Sequence, residues 1–136
     1  MPEISDELKR VPLFADLGRR ELKKLADRFH ERTLRPGTTP VQEGKMSGIG
    51  FFVVVDGEAD VTVGGTSVGT LRPGDHFGEI ALISEGTRTA TVTATTPLRV
   101  LEIPFYDFRE FAFENPDVMW KLLQSVVAQA YSDASQ

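Results

Sequence analysis

Residues 49–71 read Ile49-Gly50-Phe51-Phe52-Val53-Val54-Val55-Asp56-Gly57-Glu58-Ala59-Asp60-Val61-Thr62-Val63-Gly64-Gly65-Thr66-Ser67-Val68-Gly69-Thr70-Leu71. Aromatic and β-branched runs are broken here by Asp-Gly and Gly-Gly, the dipeptides that supply the positive φ angles of two-residue hairpin loops. The spacing predicts strands at Ile49–Val55, Glu58–Val63 and Thr66–Leu71, with hairpins at Asp56-Gly57 and Gly64-Gly65. Working outward, Pro73-Gly74-Asp75 closes the next turn, and strand-like runs resume at Arg88–Thr95 and Leu98–Ile103. No helical period appears between Thr33 and Ile103, so this stretch is predicted to be all β. About eight short strands at even spacing suit a jelly roll or small barrel.

Helices flank the β region. Ser5 to Arg10 has a cap candidate in Ser5, and Arg19 to Phe29 places Leu22, Leu25, Ala26 and Phe29 on one face, with Gly18 and Glu21 marking its start. After the strands, Phe105, Phe108, Phe111 and Ala112 share a face up to Pro116. Val118, Leu122 and Val126, with Met119, Leu123 and Val127, then make a broad apolar stripe down the last helix. Packing on the β-roll is the expected role of that stripe, although its breadth also fits a ligand lid or a homodimer seam. Trp120 lies one step off the stripe, a position open to a solvent edge, a dimer contact or a cap over a flat ligand.

The expected fold is mostly β with flanking helices: an eight-stranded β-roll or jelly roll (double-stranded β-helix) with N-terminal helices and a C-terminal helical lid. One domain is expected over residues 1–136, with helices at 3–30, the β-roll at 31–104, C-terminal helices at 105–131 and a frayed polar tail at 132–136. The absence of cysteine excludes a disulfide framework and any thiolate metal site. No apolar run approaches the roughly 20 residues of a membrane helix, and the acidic N-terminus lacks a signal core, so a cytoplasmic protein without a membrane partner is expected. A net charge of −5, from 15 basic and 20 acidic residues, argues against a nucleic-acid surface. An anionic small ligand would need a local basic site.

Such a site is offered by Phe77-Gly78-Glu79-Ile80-Ala81-Leu82-Ile83-Ser84-Glu85-Gly86-Thr87-Arg88-Thr89-Ala90-Thr91-Val92-Thr93-Ala94. Gly78 to Leu82 is long enough for one helical turn, and a turn entered through glycine leaves its first N–H groups unpaired and available to an anion. Arg88, ten residues after Gly78, adds a permanently charged fork that matches two phosphate oxygens. Glu79 adds an acceptor for a hydroxyl. A ribose carrying a 3′,5′-cyclic phosphate presents both groups side by side.

The pattern Phe-Gly-Glu-(apolar)-Ala-Leu, a short loop, then Arg-Thr-Ala-Thr-Val closely resembles the phosphate-binding cassette of cyclic-nucleotide-binding domains. That family includes kinase regulatory subunits, cyclic-nucleotide-gated channels and the bacterial catabolite activator protein. Phe51 to Val61 is similar to the family's central hairpin, and Leu71 to Gly78 to its approach to the cassette. The resemblance implies a regulatory domain that binds cAMP or cGMP, with no catalytic residues, no metal and no cofactor. It places Glu79 on the ribose 2′-OH and Arg88 on the exocyclic phosphate oxygens. The N–H groups of Ala81 and Thr89 would also meet phosphate, Ile80 is the apolar member of the motif, and Gly78 would let the backbone approach. Thr87 stands where many relatives carry proline, and Thr89 leaves cGMP open. Trp120, Leu123 and Val127 are the candidates to cover the base, through movement of the last two helices about Asn115-Pro116. Whether the chain stands alone and signals by association or is one module of a larger protein, its expected partner is an effector protein or domain, or a second copy through the last helix.

Three rival readings are weaker. Asp75, His76 and Glu79 suggest a cupin-like metal enzyme, but with His30 the only other histidine the donor set is thin, and His76 reads as a turn residue beside the pocket mouth. Gly65-Thr66-Ser67-Val68-Gly69 matches a nucleophile elbow but follows a hairpin turn instead of a strand-to-helix turn. A ligand-free interaction module of the same fold is disfavoured by the presence of Arg88.

Overall fold

The computed structural model describes residues 3–40, 50–78 and 90–134. Its elements are α1 (Ile4–Lys9), a 3-10 turn (Pro12–Phe14), α2 (Arg19–Ala26), β1 (His30–Leu34), β2 (Phe51–Asp56), β3 (Ala59–Val63), β4 (Thr66–Leu71), β5 (His76–Phe77), β6 (Thr91–Ala94), β7 (Leu98–Ile103), α3 (Phe105–Glu114) and α4 (Pro116–Ala134). The mostly-β expectation with helices at both ends holds, with seven strands among the described residues. They form no closed barrel. They lie in two antiparallel sheets, one in the order β1-β7-β2-β5 and the other β4-β3-β6.

The run Phe51–Val54 is apolar at every position because β2 is covered on both sides. Phe51 and Val53 join Leu101 and Ile103 of β7 under the helices, while Phe52 and Val54 turn into the roll with Leu98 and Val100. The register agrees, with Phe51 opposite Ile103 and Val53 opposite Leu101. On the helix side the ring of Phe51 stacks on Phe108 of α3 at 4.5 Å and meets Phe14 edge-on at 6.4 Å. Leu8, Leu22, Leu25 and Phe29 from the N-terminal helices and Phe111, Val118 and Leu122 from α3 and α4 complete that cluster, so both chain ends share one helical layer.

The Asp56-Gly57 hairpin is a correction. β2 and β3 belong to different sheets, and Gly57 is the corner where the chain leaves one for the other. Its φ is +90°, and a Cβ there would collide with the carbonyl oxygen of Pro97, part of the opposite corner between β6 and β7. The Glu58 N–H donates to Thr96 Oγ1 at 2.9 Å and the Thr95 N–H to the Glu58 carbonyl at 3.1 Å, so the two corners brace each other. Gly64-Gly65, by contrast, is a two-residue hairpin with φ of +59° and +82°, joining β3 to β4 with Val63 opposite Thr66. Pro73-Gly74 also turns as expected: the Arg72 N–H donates to Asp75 Oδ2 at 2.8 Å and the Gly74 N–H to the Val54 carbonyl at 2.9 Å.

Several helix limits also move. Glu3, not Ser5, holds the N-cap position of α1, with no side-chain cap bond, which leaves Ser5 inside the first turn. α2 starts after Gly18 as expected but ends at Ala26, where N–H groups of Arg28 and Phe29 bond three residues back and tighten the last turn. Phe29 remains buried beyond the helix, and strand begins at His30. α4 runs to Ala134, past the expected end at Tyr131, since neither proline nor glycine interrupts Ser132-Asp133-Ala134.

One ionic cluster ties α1 to the roll. Glu7, buried to 6% exposure, accepts from Arg99 Nη2 at 3.0 Å, and Arg99 Nε donates to Glu31 on the neighbouring strand. These bonds, Glu31 foremost and Glu7 after it, raise the Arg99 pKa against the opposing effect of burial. With the folded value raised, the arginine's contribution is complete below its unfolded pKa and is lost only as pH climbs through the folded one, so Arg99 stays charged at every pH the fold meets.

Two substitutions test this framework. Gly57→Ala should lower stability by about 2–4 kcal/mol, combining left-handed strain with a collision, and shift the urea midpoint without changing its slope. Arg99→Met should cost about 1–3 kcal/mol by stranding the Glu7 carboxylate, and Glu7→Leu added to it should recover part of the loss.

Candidate functional site

The cassette segment connects the two sheets in sequence. β5, which leads into it, is the outer strand of the four-stranded sheet, and β6, which leaves it, is an outer strand of the three-stranded sheet. Both ends are anchored inside the roll. Phe77, opposite Phe52 in the register, stacks on that ring at 4.7 Å and 6°, and Val92, opposite Val61, is 3% exposed. Val61 and Leu71 pack half-buried against the same cluster, an apolar wall beside the segment's two anchors.

Gly78 follows Phe77 with φ +99°, a conformation that favours glycine and lets the chain leave the sheet edge sharply. The other cassette residues singled out from sequence, Glu79, Ile80, Ala81, Arg88 and Thr89, with Thr87, lie outside the described residues. The structure therefore fixes the cassette's two attachment points and the glycine that opens it.

His76 is corrected. It is a strand residue opposite Val53, on the face of β5 away from Phe77, and its ring stacks on Phe51 at 5.3 Å and 29°. Phe51 in turn stacks on Phe108, so a continuous file of rings runs from the strand before the cassette to α3. Sequence reasoning missed this contact, and the available signal was alternation: residues 76 and 77 must face opposite sides of any strand. Asp75 is occupied by its turn, and among the described residues no group of three or more His, Cys, Asp or Glu side chains is placed to hold a metal ion. Ser67 lies on strand β4 with its hydroxyl donating to Asp60 at 2.6 Å, which is no nucleophile elbow.

The last two helices divide the predicted stripe. Val118 and Leu122 are buried, whereas Met119, Leu123 and Val127 are exposed, as is Trp120 at 62%. Packing within the helical layer, against α3 and the 3-10 turn, thus accounts for one edge of the stripe only. The joint between α3 and α4 is Asn115, whose ψ of 77° reflects the restriction that Pro116 imposes on the residue before it. The Asn115 side chain donates to the Phe111 carbonyl at 2.9 Å, and its own carbonyl accepts from Val118 at 2.9 Å, so both helix ends are satisfied at the bend. Arg28 donates to the Asp107 carbonyl at 3.2 Å, and Lys121 pairs with Asp16, binding α3 and α4 to the N-terminal helices.

Two antiparallel sheets around a shared apolar core, joined through a segment that opens on a positive-φ glycine, with a helical layer packed on the four-stranded sheet, are the features of a β-roll domain. The profile of the cyclic nucleotide-binding domain matches residues 31–115, and the chain belongs to that family. It is 48% identical over 95 residues to the cAMP-dependent protein kinase regulatory subunit of Yarrowia lipolytica, covering 68% of this chain and 25% of that protein. It is 35% identical over 108 residues to the cyclic nucleotide-gated potassium channel mll3241 of Mesorhizobium japonicum, covering 79% of this chain and 30% of that one. Among solved structures it is similar to the regulatory domain of Toxoplasma gondii PKA co-crystallised with cAMP, at 26% identity and TM-score 0.80 over 93% of this chain and 49% of that one. A PKAR CBD2 bound to Sp-2Cl-cAMPS is also 26% identical, at TM-score 0.72 over 90% of this chain and 88% of that one. The chain therefore spans about a quarter of the length of the curated relatives it matches. No helix among the described residues is long and apolar enough to cross a membrane.

The exposure of Trp120 has a direct readout. Its fluorescence in the isolated chain should be strongly quenched by acrylamide, and a protected indole would contradict the arrangement of α4.

Proposed function

We propose that this chain is a non-catalytic regulatory module that binds a 3′,5′-cyclic nucleotide on residues 78–89, with all of residues 1–136 acting as one domain. The observation that carries the reading is the coincidence of the family match over residues 31–115 with a β-roll whose two sheet edges hold the ends of that segment. Arg88 takes the exocyclic phosphate oxygens, Glu79 the ribose 2′-OH, and the N–H groups of Ala81 and Thr89 the remaining phosphate contacts, with Ile80 the apolar member of the same motif. A charge-assisted hydrogen bond contributes roughly 1.5–3 kcal/mol against about 0.3–1 for a helix dipole, so Arg88 carries the largest share. Solved relatives were crystallised with cAMP or a cAMP analogue, which favours cAMP; Thr89 keeps cGMP in play.

Regulation needs a second conformation with a different affinity for ligand. α3 and α4, jointed at Asn115, are the movable part, and Trp120, Leu123 and Val127 supply the exposed apolar surface that closes over the purine. The relatives' names point to an effector kinase as partner. Dimerisation through the same face of α4 is the second reading, favoured by the same exposure. A cytoplasmic, nucleic-acid-free role completes the proposal.

Arg88→Ala should weaken cAMP binding on the order of a hundredfold in titration calorimetry. Unchanged binding would remove Arg88 from the site. Glu79→Ala should weaken cAMP but leave 2′-deoxy-cAMP almost as it binds the parent chain. Saturating cAMP should shift Trp120 emission to the blue at a protein concentration where sedimentation shows monomer; a shift seen only with dimer formation favours the second reading.

A further inference from the structure

The positive charge of this acidic protein is concentrated at one end. Seven of the 15 basic residues fall within residues 9–28, against three of the 20 acidic ones. Lys9 and Arg10 end α1, and Arg19, Arg20, Lys23 and Lys24 follow one another along α2; all six are exposed. Arg28 at the end of this stretch, and Arg32, Arg99 and Lys121 beyond it, have carboxylate partners. Of these six, only Lys24 has an ion pair among the described residues, a loose one to Glu21 at 3.8 Å. Arg19 and Arg20 also sit in the first turn of α2, where positive charge opposes the helix dipole, so helix stability does not account for them.

We propose that this face docks an acidic peptide segment of a partner protein. Lys9, Arg19 and Lys23 converge with Ser5, Glu3 and Asp6 on a concavity between α1 and α2. Two exposed carboxylates there, Glu3 and Asp6, can accept hydrogen bonds from a partner. A polypeptide offers N–H groups to them beside its own Asp and Glu side chains, whereas a phosphodiester backbone offers acceptors alone. Bilayer insertion lacks its apolar component, since the exposed large hydrophobics among the described residues all lie at Val63 or beyond. The face is also separate in sequence from residues 78–89, so docking here and nucleotide binding can be measured independently.

The test is amide NMR of the labelled chain titrated with a polyglutamate peptide, and in parallel with phosphatidylserine vesicles and duplex DNA. Shifts confined to residues 3–24, weakening with added salt, are expected for the peptide alone. Combined Arg20→Glu, Lys23→Glu and Lys24→Glu should weaken that binding by at least about tenfold while cAMP affinity stays unchanged. The alanine versions of the same three should give a smaller loss in the same direction, which separates charge from any folding defect. Shifts elsewhere, equal binding by variants that retain cAMP affinity, or tighter binding of vesicles or DNA would overturn the proposal.

Discussion

Everything else rests on the burial of β2 from both sides. A strand with one wet face alternates polar and apolar residues; Phe51-Phe52-Val53-Val54 does not, because one pair of side chains serves the roll interior and the other the helical layer. β2 and its neighbour β7 are thus the wall common to two separate cores. Since protein interiors pack as densely as crystals, a shift on one side of such a wall is felt on the other. The stack His76–Phe51–Phe108 is the concrete form of that wall: one end lies two residues before Gly78, the other on the helix that leads into the Asn115 joint. Coupling between a segment at the sheet edges and helices behind the sheet needs no long path here, only one shared strand.

The helical layer adds a second constraint, for it is built from both ends of the chain. Leu8, Phe14 and Leu25 pack in the same cluster as Phe108, Phe111 and Leu122, and polar contacts from Arg28 and Lys121 lock the two ends together. Any swing of α3 and α4 must therefore break or carry contacts with the N-terminal helices. The Lys121–Asp16 pair is solvent-accessible and of the kind that contributes little, so the proposed swing would lose little by breaking it.

Much of the architecture was legible because its signals are local. The Gly64-Gly65 hairpin, the Pro73-Gly74 turn, the start of α2 after Gly18 and the break at Asn115-Pro116 all follow from backbone preferences of the residues themselves. Asp56-Gly57 misled for a physical reason: a hairpin and a sheet-changing corner make the same demand for positive φ, and what separates them is Thr96-Pro97, about forty residues downstream, on which the Glu58 N–H is held. The division of the last helix was equally invisible, since Leu122 and Leu123 are the same residue type one step apart, and only the positions of the 3-10 turn and α3 decide which is buried. Gly78 was readable as a backbone requirement, and the structure gives it the φ that glycine tolerates. The roles of Glu79 and Arg88 were legible only as a motif, because a carboxylate and a guanidinium acquire meaning from the ligand atoms they meet.

The β3–β4 hairpin carries a consequence of another kind. β4 is an outer strand of its sheet, and its backbone is the sort of open template on which misassembled chains add strands. Yet Val61 stands opposite Gly69 and Thr62 opposite Ser67, so Val68 is an extra residue that bends the strand, and the Ser67–Asp60 clasp holds a carboxylate at that bend. A kinked, glycine-bearing edge with a nearby negative charge is a poor template for intermolecular β-addition. The irregularity that spoils the ladder thereby leaves this edge ill-suited to the addition of a further strand.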